Sequence, residues 1–333
     1  MGLFAFFIPA CEGNRSEAYQ AMEILIDIIL KAGRSAVELA FFVLLPVMVV
    51  MLTLMRMLEA KGMLDWLAQR LAPALRPFGL GGLGVFAALQ INFVSFAAPI
   101  ATLTMMEQRG ASDRHIAATL AMVFSMSQAN AAFPMMTMGL NFGTTLAFSL
   151  VGGLAAASAT YYLFGRHLSA AEGVVDETLP HQSADSAKGV LDVINRAGAE
   201  AFKIAVGAIP MLVLSLVGVI ALKRFGVIDL LTEWLTPLLA IMSVDPVLIL
   251  PSLTKYLAGG TSMMGVMDDL RRSGQVSVEL LNASAGFLIS PFDVPGVAVL
   301  ISAGKRIASV WKPAAWGACF GIALRTVGHA YFG

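Results

Sequence analysis

Charge is what this sequence has least of. Only 13% of its 333 residues are Asp, Glu, Lys or Arg, against about 25% in soluble domains, while 58% are hydrophobic. A chain so poor in charge cannot clothe a water-exposed surface, and the class that remains is an integral membrane protein. The charges also cancel, 22 basic against 22 acidic, so no bulk field marks a nucleic-acid partner. Cysteine is nearly absent: Cys11 and Cys319 stand far apart, which suggests neither a disulfide framework nor a metal site. His115, His167, His181 and His329 are scattered without ligand spacing, so no metal and no cofactor are expected. Gly-x-Ser-x-Gly, His-Glu-x-x-His and phosphate-binding Gly-Lys-Ser/Thr motifs are missing as well, and an enzyme is not the expectation. The 19 methionines suit adaptable packing in an apolar protein.

Four segments divide the chain. Residues 1–17 form an apolar N-terminal segment, with Cys11 after Ile8-Pro9-Ala10, too short to span and read as an interfacial or frayed end. Residues 18–166 form a first repeat and 188–333 a second. Residues 167–187 are a polar linker, with Glu172, Asp176, Glu177, Pro180 and Asp185. Within the first repeat, Ala18 to Lys31 reads as a helix lying in the interface, Ala36 to Met55 as a span, and Met63 to Leu75 as an amphipathic connector with Trp66 at the interface. Pro77 to Met106 has no charge. As one straight helix it would measure about 45 Å against a hydrocarbon core of about 30 Å. A broken helix or re-entrant hairpin is therefore expected, interrupted near Ser95 to Pro99. Ile116 to Leu140 is polar at its centre, and Thr144 to Phe164 is a plain span whose Gly152 serves as a neutral comparison site.

The repeats show in the letters. Ile26-Asp27-Ile28-Ile29-Leu30-Lys31-Ala32-Gly33 aligns with Leu191-Asp192-Val193-Ile194-Asn195-Arg196-Ala197-Gly198 at a shift of 165. At a shift of 164, Pro46 pairs with Pro210, Gly62 with Gly226, Asp65 with Asp229, Pro73 with Pro237 and Gly110 with Gly274. This register sets Ser95 to Pro99 opposite Gly259 to Met263. An apolar run that turns to Gly259-Gly260-Thr261-Ser262 is not built as one helix, since Gly costs about 1 kcal/mol in a helix interior. In lipid such a break survives only where protein or a water-filled cavity satisfies the backbone; close packing of small residues is the alternative. Short broken segments at matching positions of two repeats place a binding site at the repeat interface. The second half should hold spans near Ile204 to Leu222, Pro246 to Met267, Leu280 to Ala303 and Ser309 to Phe332, with a connector at Val227 to Leu239.

The charges inside apolar stretches are Lys255 and Asp293. A lone charge at the bilayer centre costs roughly 2.5–3.5 kcal/mol on insertion scales. Either the two line a polar site as a pair, with Asp293 carrying a coupling proton or sodium ion, or Lys255 snorkels and Asp293 caps the helix after Pro291. Arg325 and His329, one turn apart on the last helix, are read as interfacial anchors. The candidate substrate-binding residues are Gln90, Asn92, Ser95, Ser127, Gln128 and Asn130 in the first half, and Thr254, Lys255, Gly259, Gly260, Thr261, Ser262, Ser290 and Asp293 in the second.

Ser95-Phe96-Ala97-Ala98-Pro99 followed by Met105-Met106-Glu107 resembles the Asn-Ala-Ala-Thr-Pro…Ala-Met-Glu-Glu-Leu stretch of the spore maturation protein A family. Gly259 to Leu270, followed by Ser273-Gly274, resembles the Ser-Gly-Ser-Gly-Ala-Leu-Gly…Met…Asp…His-Gly stretch of spore maturation protein B. Ser95-Phe96 stand where the first pattern has Gly-Asn, and Ser262 replaces one glycine of the second. Both families belong to the nucleoside-recognition, or Gate, superfamily, which also holds concentrative nucleoside transporters and the membrane part of the ferrous iron transporter. The resemblance implies an all-α polytopic membrane protein of two Gate-type repeats, in inverted arrangement, each with a broken or re-entrant helix. It also implies movement of a small polar solute, nucleoside-like or an ion, through a site between the repeats, with H+ or Na+ as coupling ion. The alternative is a non-transporting component of envelope or spore-maturation-type assembly. Expected partners are the lipid bilayer, the solute and further copies in a homo-oligomer. The expected location is the bacterial inner membrane, as a multi-pass protein.

Overall fold

The computed structural model describes residues 15–171, 189–227, 230, 233, 234 and 245–332. Most of the Val227 to Leu239 connector, of the 167–187 linker and of the 1–17 segment, with Cys11, lies outside these residues. Every element described is helical.

The first helix differs from expectation. Ala18 to Lys31 is not a separate in-plane helix. α1 (Arg15–Glu38) runs through a π-helical turn at Leu39–Leu44 into α2 (Leu45–Ala60). Ala32 and Ala36 stay buried across this stretch and Gly33 meets nothing within 4 Å, so no steric feature breaks the backbone there. Its counterpart α9 (Val190–Arg224) runs unbroken for 35 residues, Pro210 included. The stretches Met22–Leu58 and Val190–Leu222 are long and apolar enough to cross a membrane, and only 28% and 20% of their apolar windows are buried. Exposed apolar surface on so long a helix faces lipid or another apolar partner.

The connector falls where the sequence set it. α3 (Met63–Leu75) follows Gly62, whose φ of 67° is a left-handed conformation that favours glycine. A hairpin follows: α4 (Gly82–Phe93), a non-helical tip over residues 94–98, then α5 (Pro99–Gln108). Next come α6 (Asp113–Ser125), α7 (Ala129–Met135) and α8 (Phe142–Ala159). The second half repeats the order. α10 (Ile249–Ala258) and α11 (Gly260–Arg272) form a hairpin, followed by α12 (Val278–Leu288), α13 (Val294–Ile301), the short α14 (Lys305–Ser309) and α15 (Trp311–Phe332). The second interruption is narrower than expected. Only Gly259 is non-helical, because its φ of 92° and ψ of 169° turn the chain within one residue, and Gly260 to Ser262 already belong to α11.

Backbone geometry recurs at the 164-residue shift. Gly62 and Gly226 both have φ of 67°, and Gly110 and Gly274 have 73° and 72°. Arg109, Gly110 and Ala111 donate to the carbonyls of Met105, Glu107 and Met106, while Ser273, Gly274 and Gln275 donate to those of Asp269, Arg271 and Leu270. Each bond has its partner at the same offset.

Two large apolar cores hold the fold, and neither belongs to one half. One combines α1, α2 and α7 with α9 and α10–α12; the other combines α4–α6 and α8 with α13–α15. Polar ties fasten both ends. Arg306 donates to Asp113 at 2.6 Å and to the Ala111 carbonyl at 2.7 Å, and its backbone N–H reaches Glu107 at 3.1 Å. Asn282 takes the backbone N–H of Asn141 at 2.7 Å and donates to the Gly139 carbonyl at 3.0 Å.

Gly152 is not neutral. A Cβ there would stand 2.2 Å from Arg325 Cγ and 2.8 Å from the Gly321 carbonyl, and one on Gly321 would come within 2.4 Å of the Gly152 carbonyl. α8 and α15 thus cross on bare backbone, as small residues allow in membranes. Gly321→Leu should lower stability by ~1–3 kcal/mol or more, the usual cost of overpacking. Gly198→Leu, where nothing lies within 4 Å, should leave it near the parent. Thermal unfolding of the purified variants in detergent measures both, and equal loss in the two would refute the close crossing.

Candidate functional site

The centre of the molecule is made by two broken helices. Between α6 and α7 the chain is non-helical at Met126 to Gln128, and between α12 and α13 over residues 289–293. All of the apolar window of Asp113–Met138 is buried, so the first broken helix is enclosed by protein. A break frees carbonyls before it and N–H groups after it, and each must find a partner.

The two breaks supply partners to each other. The backbone N–H of Gln128 donates to the Ile289 carbonyl at 3.0 Å. Its side-chain Nε2 donates to the Ser290 carbonyl at 3.3 Å. Phe124 and Phe292 pack beside this junction, ring centroids 5.5 Å apart. Gly260 lies against Gln128 so closely that a Cβ would come within 2.1 Å of Nε2.

Each hairpin tip abuts the helix that follows the break in its own half. In the first half, the Phe96 N–H donates to Asn130 Oδ1 at 3.3 Å, and Ser95 Oγ takes the Ala98 N–H at 3.2 Å. In the second, the Cβ position of Gly259 lies 3.7 Å from Pro295 and 3.8 Å from Asp293 Oδ1. The tips are therefore joined through the breaks.

The charges sit inside. Lys255, wholly buried, does not snorkel. Its Nζ donates to the Phe292 carbonyl at 2.7 Å and to Ser290 Oγ at 3.3 Å, and stands 3.8 Å from Asp293 Oδ2. It also lies 4.3 Å from the Tyr256 ring centroid. Asp293 caps α13, accepting the Gly296 N–H at 2.7 Å. Both geometric readings of Asp293 hold at once: it is a cap and it is the partner of Lys255.

Arg325 corrects the reading as an interfacial anchor. Its side chain is fully buried and donates to the Ser125 carbonyl and, at 2.7 Å, to Ser127 Oγ. His329, also fully buried, packs on the Phe148 ring at 5.2 Å. Hydropathy could not separate a guanidinium at a membrane surface from one drawn into the core by freed carbonyls. The one available signal was that α15 is lined by small residues, Gly317 and Gly321, that admit close neighbours.

Most of the expected residues assemble. Asn92 accepts from Ser149 Oγ at 2.6 Å, and Ser149 takes the Ser127 N–H at 2.8 Å. Ser127, Gln128, Asn130, Lys255, Gly259, Gly260, Ser290 and Asp293 meet at the breaks as described. Ser262 is buried beside them, with no hydrogen-bond partner for its Oγ among the described residues. Gln90 and Thr254 serve their own hairpins: Gln90 accepts from Thr102 at 2.7 Å, and Thr254 donates to the Leu250 carbonyl at 2.9 Å. Thr261 is half-buried in the first turn of α11. Ser149 and Arg325 were not among the expected site residues.

Residues 41–166 match the family model for nucleoside recognition, Gate. Three solved structures show the same fold along nearly the whole chain. CNTnw in an inward-facing substrate-bound state is 16% identical, with a TM-score of 0.65, covering 97% of this chain and 87% of that one. A CNTnw variant in an outward-facing state is 14% identical, with a TM-score of 0.63, covering 96% and 86%. A CNTnw variant in an intermediate state is 16% identical, with a TM-score of 0.65, covering 94% and 88%. No curated protein matches. The chain is thus a multi-pass membrane protein, all-helical among the described residues, with the fold of these CNTnw structures, and its residues 41–166 match the Gate, or nucleoside-recognition, model.

Proposed function

We propose that this protein carries a small polar solute, a nucleoside-like molecule or an ion, across the bacterial inner membrane through the polar centre between its two repeats. The observation that carries the reading is the meeting of both breaks at Gln128, whose backbone and side chain bond residues of the opposite half. A polar junction enclosed by apolar helices is costly unless something uses it. Broken helices at matching positions are the arrangement that transport folds use to present free backbone groups to a solute. The Gate match, and the likeness to CNTnw in substrate-bound and outward-facing states, support the same reading.

In this account the halves, 18–166 and 188–333, are inverted Gate-type repeats, supported by the shared glycine and turn geometry at the 164-residue shift. Gln128, Asn130, Ser290 and Asp293 contact the solute, with Asn92 and Ser127 holding the first break in shape. A proton or Na+ drives the movement, and no bond in the solute is made or broken. The exposed apolar faces of α1, α2 and α9 meet lipid or a further copy of the chain.

Proteoliposomes holding the purified protein, offered a panel of radiolabelled nucleosides and other small polar solutes, test this. Time-dependent accumulation is expected for at least one class. Asn at position 293 keeps an acceptor for the Gly296 N–H but removes the charge, so Asp293→Asn should cut uptake roughly tenfold or more, the scale of one charged hydrogen bond. No uptake of any solute by correctly folded protein would favour a non-transporting role. Normal uptake by Asp293→Asn, with unchanged ion dependence, would leave Asp293 a structural cap.

A further inference from the structure

The two breaks share a device that no expectation included. In each, one buried cation from another helix donates to a carbonyl and a serine hydroxyl at the break. At the first break the cation is Arg325, on the Ser125 carbonyl and Ser127 Oγ. At the second it is Lys255, on the Phe292 carbonyl and Ser290 Oγ, with Asp293 Oδ2 at 3.8 Å. Both side chains are fully buried. Unwound carbonyls at a break are among the groups that coordinate Na+ or H+ in transport folds. A carbonyl, a hydroxyl and a carboxylate around one point are hard oxygen donors of the kind that hold a dehydrated cation. Here an ammonium already occupies that point.

We propose that Lys255 and Arg325 are tethered cations that fill the oxygen cradles of the two breaks, so that the protein needs no alkali cation there. The consequence for solute movement, that of the two coupling ions named above the proton is the one used, rests on the transport reading above; the filling of the cradles does not. Covalent attachment makes each cation always present, which removes the concentration dependence of an ion held by mass action. It also fixes the donors' direction: an ammonium presents three N–H groups and a guanidinium five in a plane, so the second cradle suits a compact ion and the first does not.

The test is thermal unfolding of the full-length purified protein in detergent, in NaCl, KCl, LiCl or choline chloride at equal ionic strength. The parent should unfold at the same temperature in all four. Lys255→Ala vacates the second cradle and leaves Asp293, Ser290 and the Phe292 carbonyl in place. It should unfold earlier in choline and recover by at least about 3 °C as NaCl saturates the vacancy. Lys255→Met fills the space without charge and should show the loss but no recovery. A sodium-specific shift in the parent overturns the proposal, and that measurement decides it even if a variant does not fold. A folded Lys255→Ala that ignores sodium overturns it too. None of these measurements involves uptake, so failure of the transport reading leaves the result standing, and a sodium response in the parent sinks the tethered cation whatever the protein carries.

Discussion

Asp293→Leu is expected to cost ~3–5 kcal/mol of stability, the toll of leaving one member of a buried ion pair without the other. The carboxylate does two things, and leucine does neither. Its Oδ2 faces Lys255 Nζ at 3.8 Å and its Oδ1 accepts the Gly296 N–H at 2.7 Å. Loss of the cap alone costs about 0.5–2 kcal/mol. The larger part comes from Lys255, left with a carbonyl and a hydroxyl but no counter-charge. Adding Lys255→Met removes the orphaned ammonium, so the double variant should recover most of the loss and retain only the cost of the cap. Apparent melting temperatures of the parent, both single variants and the double variant close the cycle. A double variant no more stable than Asp293→Leu would mean that the pair contributes nothing and that Asp293 acts on Gly296 alone.

Gly260→Leu should abolish activity and lower stability together. The Cβ alone would arrive 2.1 Å from Gln128 Nε2, and Gln128 is enclosed, 3% exposed. The amide must leave, and the Ser290 carbonyl loses a donor. Overpacking contributes ~1–3 kcal/mol, and a buried carbonyl left without its donor a similar amount. Gly207→Leu, with nothing within 4 Å, is the control and should be close to neutral or slightly stabilising, since glycine is a poor helix former. Gln128→Ala makes room at the junction, so adding it to Gly260→Leu should restore stability but not activity. If Gly260→Leu alone keeps both, the tip of the second hairpin is not packed on the first break.

These two sites were legible to different degrees in the sequence. The hairpin tips were visible because their residues are conformationally special: Ser95 to Pro99 and Gly259-Gly260 interrupt apolar runs with Gly, Ser and Pro. The connector Met63–Leu75 was visible for the same reason, framed by Gly62 and by its own amphipathic spacing. The break at Met126 to Gln128 was not. It contains neither Gly nor Pro, Pro134 lies inside the following helix, and what opens the backbone is tertiary. The Ser125 carbonyl is taken by Arg325, and the Gln128 N–H goes to Ile289. Such partners come from across the fold, where no local propensity records them. Arg325 was misread because a charge near the end of an apolar helix is usually an anchor. The first helix was misread because Glu23, Asp27 and Lys31 recur at four-residue spacing, as on an interfacial helix, whereas here they mark the exposed face of a helix that runs on.

The Arg325 bonds also set an order of manufacture. The guanidinium follows the Ser125 carbonyl by 200 residues. At a synthesis rate of about 5–20 residues per second, the first break waits on the order of 10–40 s for the side chain that completes it. Throughout that interval α6 and α7 wait for the donors that Arg325 on α15 brings to the Ser125 carbonyl and Ser127 Oγ. A nascent chain stopped before α15 would therefore hold an open wound at its centre. The arrival of α15 is therefore the step that completes the centre of the fold.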